Sequence, residues 1–533
     1  MNHRYVIYSL GKLLQVIGLF MFIPGGISFY EQMRFPNDPF LKAQFLGFVI
    51  AIVISFIAGT LLSFLFRKDR GLVNVREGFA IVTFGWITLT FMGAIPFMIY
   101  FLSHQYTLTL SILLDCFTNS FFEAMSGFTT TGATILAEIE SLPKGLLFWR
   151  SLMQWIGGMG IVTLALALFP VFGVAAYQLF RGEVPGPTAE KLKPRLAQTA
   201  MILWGVYAFF TFLEVILLLA GDMSLFDAIN HSFTTLSTGG FSTRNYSIAS
   251  YSSPYVEYII LIFMFLAGVN FLIHYRIIFL RDFQMIKSNR ELHFYSGMII
   301  VAIVLCFLSL SIHGLRPQSE LSNTYRSSPL NQTQLDNKLV VERNRIKSPV
   351  DRIRQVIFQV VSITTTSGFV TTDWDTWSDF TRLLLVILMF FGGSAGSTAG
   401  GIKMIRILIL FKVAIRQIRV MLQPRLISPV KIAGRVLDEA RVRDIVSFFL
   451  LFMILAALFS VIMSTMVPDL ETAVSSVISA MGNIGPGIAG VGAYENYSWI
   501  PIPGKWILIL CMLLGRLEIY TVLIAFSPVS WKK

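Results

Sequence analysis

Four stretches of this chain repeat one pattern of hydroxyl residues and glycine: FEAMSGFTTTGAT (122–134), NHSFTTLSTGGFS (230–242), FQVVSITTTSGFV (358–370) and SSVISAMGNIGPG (475–487). Aligned on Gly132, Gly240, Gly368 and Gly485, each has a small hydroxyl residue six positions earlier, namely Ser126, Thr234, Ser362 and Ser479. Two positions before the glycine stand Thr130, Thr238, Thr366 and Asn483. No nucleophile or acid–base pair recurs with them, so the chemistry they offer is that of backbone carbonyls. A ring of such oxygens replaces the hydration shell of a potassium ion, and glycine allows the needed dihedrals while leaving the path clear. One Thr-x-Gly is an ordinary turn. Four in register, separated by 108, 128 and 117 residues, form an internal repeat.

Elements must hold those turns, and composition says where they lie. With 55% hydrophobic and 14% charged residues and a mean hydropathy of +0.69, the chain is far more apolar than a water-soluble fold requires. A membrane-spanning helix takes about 20 mostly apolar residues. Ten such segments occur, at 8–29, 44–66, 79–102, 146–179, 197–220, 255–280, 295–313, 382–411, 444–467 and 503–528. The first is too long, and lacks a small-residue cleavage site, for a removable signal peptide, and reads as a true span. The predicted fold class is an all-α polytopic membrane protein with ten transmembrane helices. After two N-terminal helices, the other eight form four pairs, and one connector lies in the outside link of each pair. The units share one orientation, so they are parallel repeats about an axis along the membrane normal, unlike the inverted repeats of many secondary transporters. Irregular backbone at membrane depth is tolerated where protein buries it or where it lines a wet cavity. Four short helices aiming their negative C-terminal ends at that axis favour a cation.

The net charge of +12 points to orientation rather than to nucleic acid. With the N-terminus inside, the cytoplasmic loops 67–77, 180–195, 276–293 and 403–443 hold 4, 4, 4 and 10 Lys and Arg, while the outside loops 31–43, 103–145, 221–254 and 468–502 hold 2, 1, 1 and 0. That is the positive-inside pattern. The outside loop 314–354 departs from it with eight basic residues, which long loops tolerate, and contains a formal glycosylation triplet at 331–333. Cys116, Cys306 and Cys511 are scattered and fit neither a disulfide framework nor a zinc cluster. No catalytic triad, paired carboxylates or metal-ligand cluster appears at usable spacing, so an enzyme is not expected.

The residues resemble the Trk/Ktr/HKT superfamily of cation transporters, and within it the TrkH-type bacterial potassium uptake subunits, over nearly the whole chain. The most specific pieces are FFEAMSGFTTTGATI (121–135), WRSLMQWIGGMGI (149–161), HSFTTLSTGGFST (231–243), FQVVSITTTSGFVTTDW (358–374), GGSAGSTAGGIKMIRI (392–407) and GNIGPG (482–487). The resemblance implies a potassium-conducting pore built from four pseudo-equivalent units within one polypeptide, in a bacterial inner membrane, with cytoplasmic termini and a homodimeric assembly surrounded by lipid. It implies the organisation 1–70 for the N-terminal pair, then pore repeats at 71–195, 196–293, 294–441 and 442–533. By position, the filter is Thr130, Thr131, Gly132 and Ala133; Thr238, Gly239, Gly240 and Phe241; Thr366, Ser367, Gly368 and Phe369; and Asn483, Ile484, Gly485 and Pro486. Sodium-preferring plant relatives carry serine at the first filter glycine, here Gly132. Ala133 and Pro486 depart from the Phe of the other repeats, so moderate discrimination against sodium is expected. The family's cytosolic partner is a TrkA-type nucleotide-binding ring. This chain has neither a dinucleotide fingerprint nor a P-loop, so nucleotide control falls to that subunit, with 403–443 as a docking surface or simply a positive-inside segment. No cofactor is expected, and potassium is the substrate.

Charges within the membrane and one long interruption complete the pattern. Arg516 stands near mid-membrane in the last span, where two roles fit: projection into the pore below the filter, which family position implies, or an ion pair with Glu518 or Glu123. Glu123 itself fits a cation-attracting role and a buried hydrogen-bonding role equally. Asp227 and Asp373 flank the outer mouth as cation concentrators or solvated loop acids, whereas His231 and His274 read as satisfied helix residues. The eighth span is broken by Gly392, Gly393, Ser394, Ala395, Gly396, Ser397, Thr398, Ala399, Gly400 and Gly401, far more small residues than a packing kink needs. Such backbone must be buried or wet, and the family places an intramembrane gating loop here. The expectation is a gate present in the third repeat alone, tied to cytoplasmic partners through Lys403 and Arg406. The alternative function is a secondary transporter coupling potassium to sodium or protons.

Overall fold

The computed structural model describes residues 2–66, 75–160, 196–317, 340–425, 428–432 and 435–531. The second half of the 146–179 segment, the whole of loop 180–195 and the 331–333 triplet lie outside the described residues. Among the described residues the chain is helical apart from one short antiparallel hairpin pairing Lys431–Ile432 with Arg435–Val436.

Six described helices are long and apolar enough to cross a membrane, and two bent pairs raise the number to eight. The two remaining segments of the expected ten are 146–179, described only as Lys144–Gly158, and 382–411, described as Asp379–Leu388 and Met404–Leu422 on either side of the interruption. The first segment also breaks, at Met21, between His3–Phe20 and Phe22–Arg34. It packs on Pro39–Leu65 where Gly11 and Gly59 meet: a Cβ on Gly59 would lie 2.7 Å from the Gly11 carbonyl oxygen. Small residues allow such close approach where hydrophobicity gives no drive between helices. His3 stacks on Trp531 with ring centroids 4.9 Å apart, so the two ends of the chain lie together.

Each later unit runs from a long helix through a short one to a second helix, and in the second, third and fourth units that second helix is broken. The long helices are Val75–Ser103, Leu196–Leu219, Arg290–His313 and Glu439–Met463. The short ones are Leu110–Phe128, Leu225–Leu236, Pro349–Thr364 and Leu470–Gly482. Thr109, Ser224, Ser348 and Asp469 cap their N-termini through side-chain oxygens. Their hydroxyl residues bond back to carbonyls of the preceding turn, as in Thr129 to Met125, Thr235 to His231 and Thr365 to Val361, which lets polar side chains sit in a buried helix.

The interruption expected in the third repeat alone recurs in other repeats in shorter form. Pro254–Ala267 and Phe271–Leu280 meet at 102°, and Ile502–Leu517 and Ile519–Phe526 at 112°. The physical causes are local. Asn270 caps a new helix by accepting from the Leu272 N–H at 2.8 Å, and Glu518 takes a left-handed φ of +61° that ends the first helix. Among the described residues, an interruption of ten residues occurs in the third repeat alone.

Candidate functional site

The four short helices end in one and the same way. Thr130, Thr238, Thr366 and Asn483 have φ of +52°, +54°, +59° and +55°. The next residue in each case donates its N–H five positions back: Thr131 to Ser126, Gly239 to Thr234, Ser367 to Ser362 and Ile484 to Ser479, at 2.8 to 3.0 Å. The left-handed residue itself bonds to the carbonyl three positions back, at 2.9 to 3.3 Å. This is a Schellman cap. The hydroxyl residues at six positions before the glycine therefore share a role through their backbone carbonyl. Left-handed φ is uncommon for a β-branched residue, and such backbone costs about 1–3 kcal/mol per residue. Three threonines bear it at equivalent sites.

Two positions later Gly132, Gly240, Gly368 and Gly485 are again left-handed, at +83°, +72°, +74° and +102°. The turns close a ring. A Cβ on Gly132 would collide with the Gly239 carbonyl, one on Gly240 with that of Ser367, one on Gly368 with that of Ile484, and one on Gly485 would crowd that of Thr131. All sixteen predicted filter residues thus come together, in cyclic order of the repeats. A cavity opens above them, lined by Gly132, Ala133, Gly240, Gly368, Gly485, Pro486 and Tyr494 among others.

In each unit a side chain of the short helix, nine or ten residues before the filter glycine, ties down the strand leaving the ring. Glu123 accepts from the Ile135 N–H at 3.0 Å and from the Thr134 hydroxyl; His231 Nε2 meets Ser242 Oγ at 3.0 Å; Gln359 donates to Thr371 at 2.9 Å; Ser475 Oγ accepts from the Ile488 N–H at 3.1 Å. Glu123 is fully buried and paired with Arg150 at 2.8 Å, which settles its role as structural. Arg150 also donates to the Ser242 carbonyl at 3.1 Å and lies over Phe241, and Gln154 bonds to Gly239 and Phe241. Both lie in WRSLMQWIGGMGI (149–161), a stretch that carries the family resemblance but whose letters alone do not say what these two side chains hold.

His231 and His274 are satisfied as expected, through the Asp227 and Leu266 carbonyls. Asp227 and Asp373, expected as mouth or solvated acids, are buried at 6% and 1% exposure. Asp227 accepts from Thr243 and Arg244, and Asp373 caps the Asp375 N–H, so both brace the outgoing strands. Further out, Glu342 accepts from the Thr372 hydroxyl and from Tyr494 and pairs with Arg345. Burial, and then the neighbouring Asp373, push its carboxyl above the usual range.

The loop 392–401 lies against the C-terminal ends of the short helices. The Gly400 N–H bonds to Thr366 Oγ1 at 2.7 Å, the Thr398 hydroxyl to the Leu236 carbonyl at 2.9 Å, and a Cβ on Gly400 would crowd Asn483 at 2.8 Å. Ser394 donates to the Gly268 carbonyl at 2.8 Å, and Phe271 donates to that of Gly396 at 3.1 Å. One oxygen of Glu291 accepts from both the Ala395 and Ile405 N–H groups, at 2.7 and 3.2 Å, joining the two stems. Arg516 donates to the Thr398, Gly157 and Gly158 carbonyls at 2.8, 2.6 and 3.0 Å. Glu518 pairs with Arg406 at 2.8 Å, and Glu123 with Arg150, so the acids considered for Arg516 are engaged elsewhere. Lys403 and Arg406, expected to reach cytoplasmic partners, turn inward: Lys403 bonds to the Ala399 carbonyl, and Arg406 lies 4.2 Å from the Phe448 ring centroid.

Comparison with known proteins gives the family. The chain is 35% identical over 535 residues to the Trk system potassium uptake protein TrkH of Escherichia coli K12, and 34% identical over 541 residues to TrkH of Halomonas elongata, covering all of both chains in each case. The crystal structure of the potassium transporter TrkH from Vibrio parahaemolyticus superposes with a TM-score of 0.80 at 30% identity, again covering both chains fully. The sequence model of the TrkH family, described as cation transport protein, matches residues 46–533. Helical, multi-pass and built on that same plan, the chain belongs to the TrkH family of cation transport proteins.

Proposed function

We propose that this chain takes up potassium across the cytoplasmic membrane through the ring of four turns, with loop 392–401 as the gate beneath it. The observation that carries this reading is the backbone shared by all four turns. A left-handed residue, a residue of negative φ and a left-handed glycine follow one another in each, and alternation of that kind turns successive carbonyls to one side. Four such strands around one axis supply stacked rings of oxygens, the arrangement that dehydrates potassium. Thr130 to Ala133, Thr238 to Phe241, Thr366 to Phe369 and Asn483 to Pro486 are the filter, contributing mainly main-chain oxygens. The C-terminal ends of the short helices lend partial negative charge to the space below.

Units 71–195, 196–293, 294–441 and 442–533 act as the pore repeats. The names of the relatives support potassium as cargo. Contact between the two chain ends supports an even number of crossings, hence both termini on the cytoplasmic side. The chain works as a homodimer with a cytosolic nucleotide-binding ring docked on the basic segment 403–443; the word system in the relatives' names supports partner subunits as such. Arg516 raises the barrier to cations in the closed state, and its bonds to the loop couple the two.

The test is flux of potassium, rubidium and sodium in liposomes holding the purified protein, with Gly132→Ser beside the parent. Potassium and rubidium pass and sodium lags in the parent, and the substitution narrows the gap. Equal passage of sodium by the parent would overturn the filter assignment.

A further inference from the structure

In three turns the residue just before the filter glycine has a side chain, and in the second it has none. Thr131 shares a hydrogen bond with Thr129 at 2.8 Å and accepts from Asn483 Nδ2 at 3.0 Å; Ser367 meets Thr365 at 3.0 Å; Ile484 is buried. The equivalent residue of the second turn is Gly239. The space a side chain would fill there is occupied by Gln154, from helix Lys144–Gly158 of the preceding unit: a Cβ on Gly239 would overlap its carboxamide carbon. Gln154 is fully buried. Its Nε2 donates to the Gly239 carbonyl at 2.7 Å, and its Oε1 accepts from the Phe241 N–H at 3.0 Å.

We propose that Gln154 is a positioning residue for ion selection: its carboxamide stands in for the side chain absent at Gly239 and fixes the second filter strand from the neighbouring repeat. This rests on the filter reading above. A primary amide can donate to a carbonyl and accept from an N–H at once, which a carboxylate or a thioether cannot. The Gly239 carbonyl abuts Gly132 of the first turn, so the clamp sets the distance between two strands. Arg150, one helical turn earlier on the same face, holds Ser242, and Gln154 hydrogen-bonds to the backbone on both sides of Gly240.

The experiment compares potassium and sodium flux in liposomes for the parent, Gln154→Met, Gln154→Glu, Gln154→Ala, and Gln154→Ala combined with Gly239→Ser. Gly132→Ser serves as the reference. Methionine keeps the volume and removes the amide, so the potassium preference over sodium falls about tenfold, the effect of one buried hydrogen bond on an equilibrium. Glutamate falls similarly because it cannot donate. The double variant regains much of what Gln154→Ala loses, since the new hydroxyl at position 239 faces Ser237 as Thr131 faces Thr129. Parent-like selectivity of Gln154→Met with Gly132→Ser altered would reduce Gln154 to packing and overturn the proposal. Parent-like selectivity of both would overturn the filter assignment itself. If Gln154→Met fails to accumulate in the membrane, the double variant decides: no recovery over Gln154→Ala overturns the clamp.

Discussion

In the ring, every turn is closed by N–H groups donating to carbonyls of its own short helix, four times over at 2.8 to 3.0 Å. Along 392–401 the backbone closes some bonds on itself, from Ser397 to Ser394 and from Gly392 to Ile402, and is further held by groups lent from elsewhere: Glu291 on the stems, Arg516 on Thr398, Gly268 on Ser394 and the filter's own Thr366 on Gly400. Bonds closed within an element persist as long as the element does. Bonds lent by neighbouring helices depend on where those helices stand. Under the proposed function, the contrast is between the filter and its gate.

The largest effect falls on the glycines of the ring. Gly240→Ala forces a left-handed alanine and drives its Cβ into the Ser367 carbonyl, so potassium flux falls about a hundredfold or more. Gly297→Ala, in a helix with nothing within 4 Å, leaves flux unchanged. A second effect has the opposite sign. Arg516→Ala removes three carbonyl contacts between the loop and the first repeat and raises basal flux about tenfold in the absence of any cytosolic partner. Flux that stays at the parent level would make the loop a fixed packing element. Glu291→Gln keeps the shape but weakens charge-assisted acceptance, and basal flux rises about two- to threefold.

The smallest effect concerns the outer rim. Because burial and Asp373 raise the Glu342 carboxyl above its unfolded value, the folded chain holds that proton more tightly. Stability therefore falls as pH rises from the unfolded carboxylate pKa through the folded one, and acidification within that window firms the rim. The thermal midpoint in detergent should rise on lowering the pH across that window, and Glu342→Gln should flatten the dependence. An unchanged slope in the variant would assign the effect to other groups.

Periodicity and composition sufficed for the helical architecture and for the four turns, because glycine and hydroxyl residues recur at fixed spacing there. What was hidden has a common physical cause. The strand ties by Glu123, His231, Gln359 and Ser475 use four residue types for one job, so no repeated letter announces them. Gln154 and Arg150 find their partners 85 to 92 residues away in another unit, beyond any local pattern. The bends at Asn270 and Glu518 sit on single polar residues in apolar runs, which read as tolerated kinks. The inward turn of Arg406 depends on Glu518, 112 residues on.

The ring also has an order of construction. Gly485 packs on Thr131 and Gly132, and Asn483 donates to Thr131 across 352 residues of sequence. Synthesis proceeds from the N-terminus, and units fold as they emerge. Three sides of the ring therefore wait in the bilayer until the last unit arrives to join the first. A chain stalled or cut before that point exposes unpaired strand edges for quality control to recognise, and offers no finished path through which the cell's ion gradient drains.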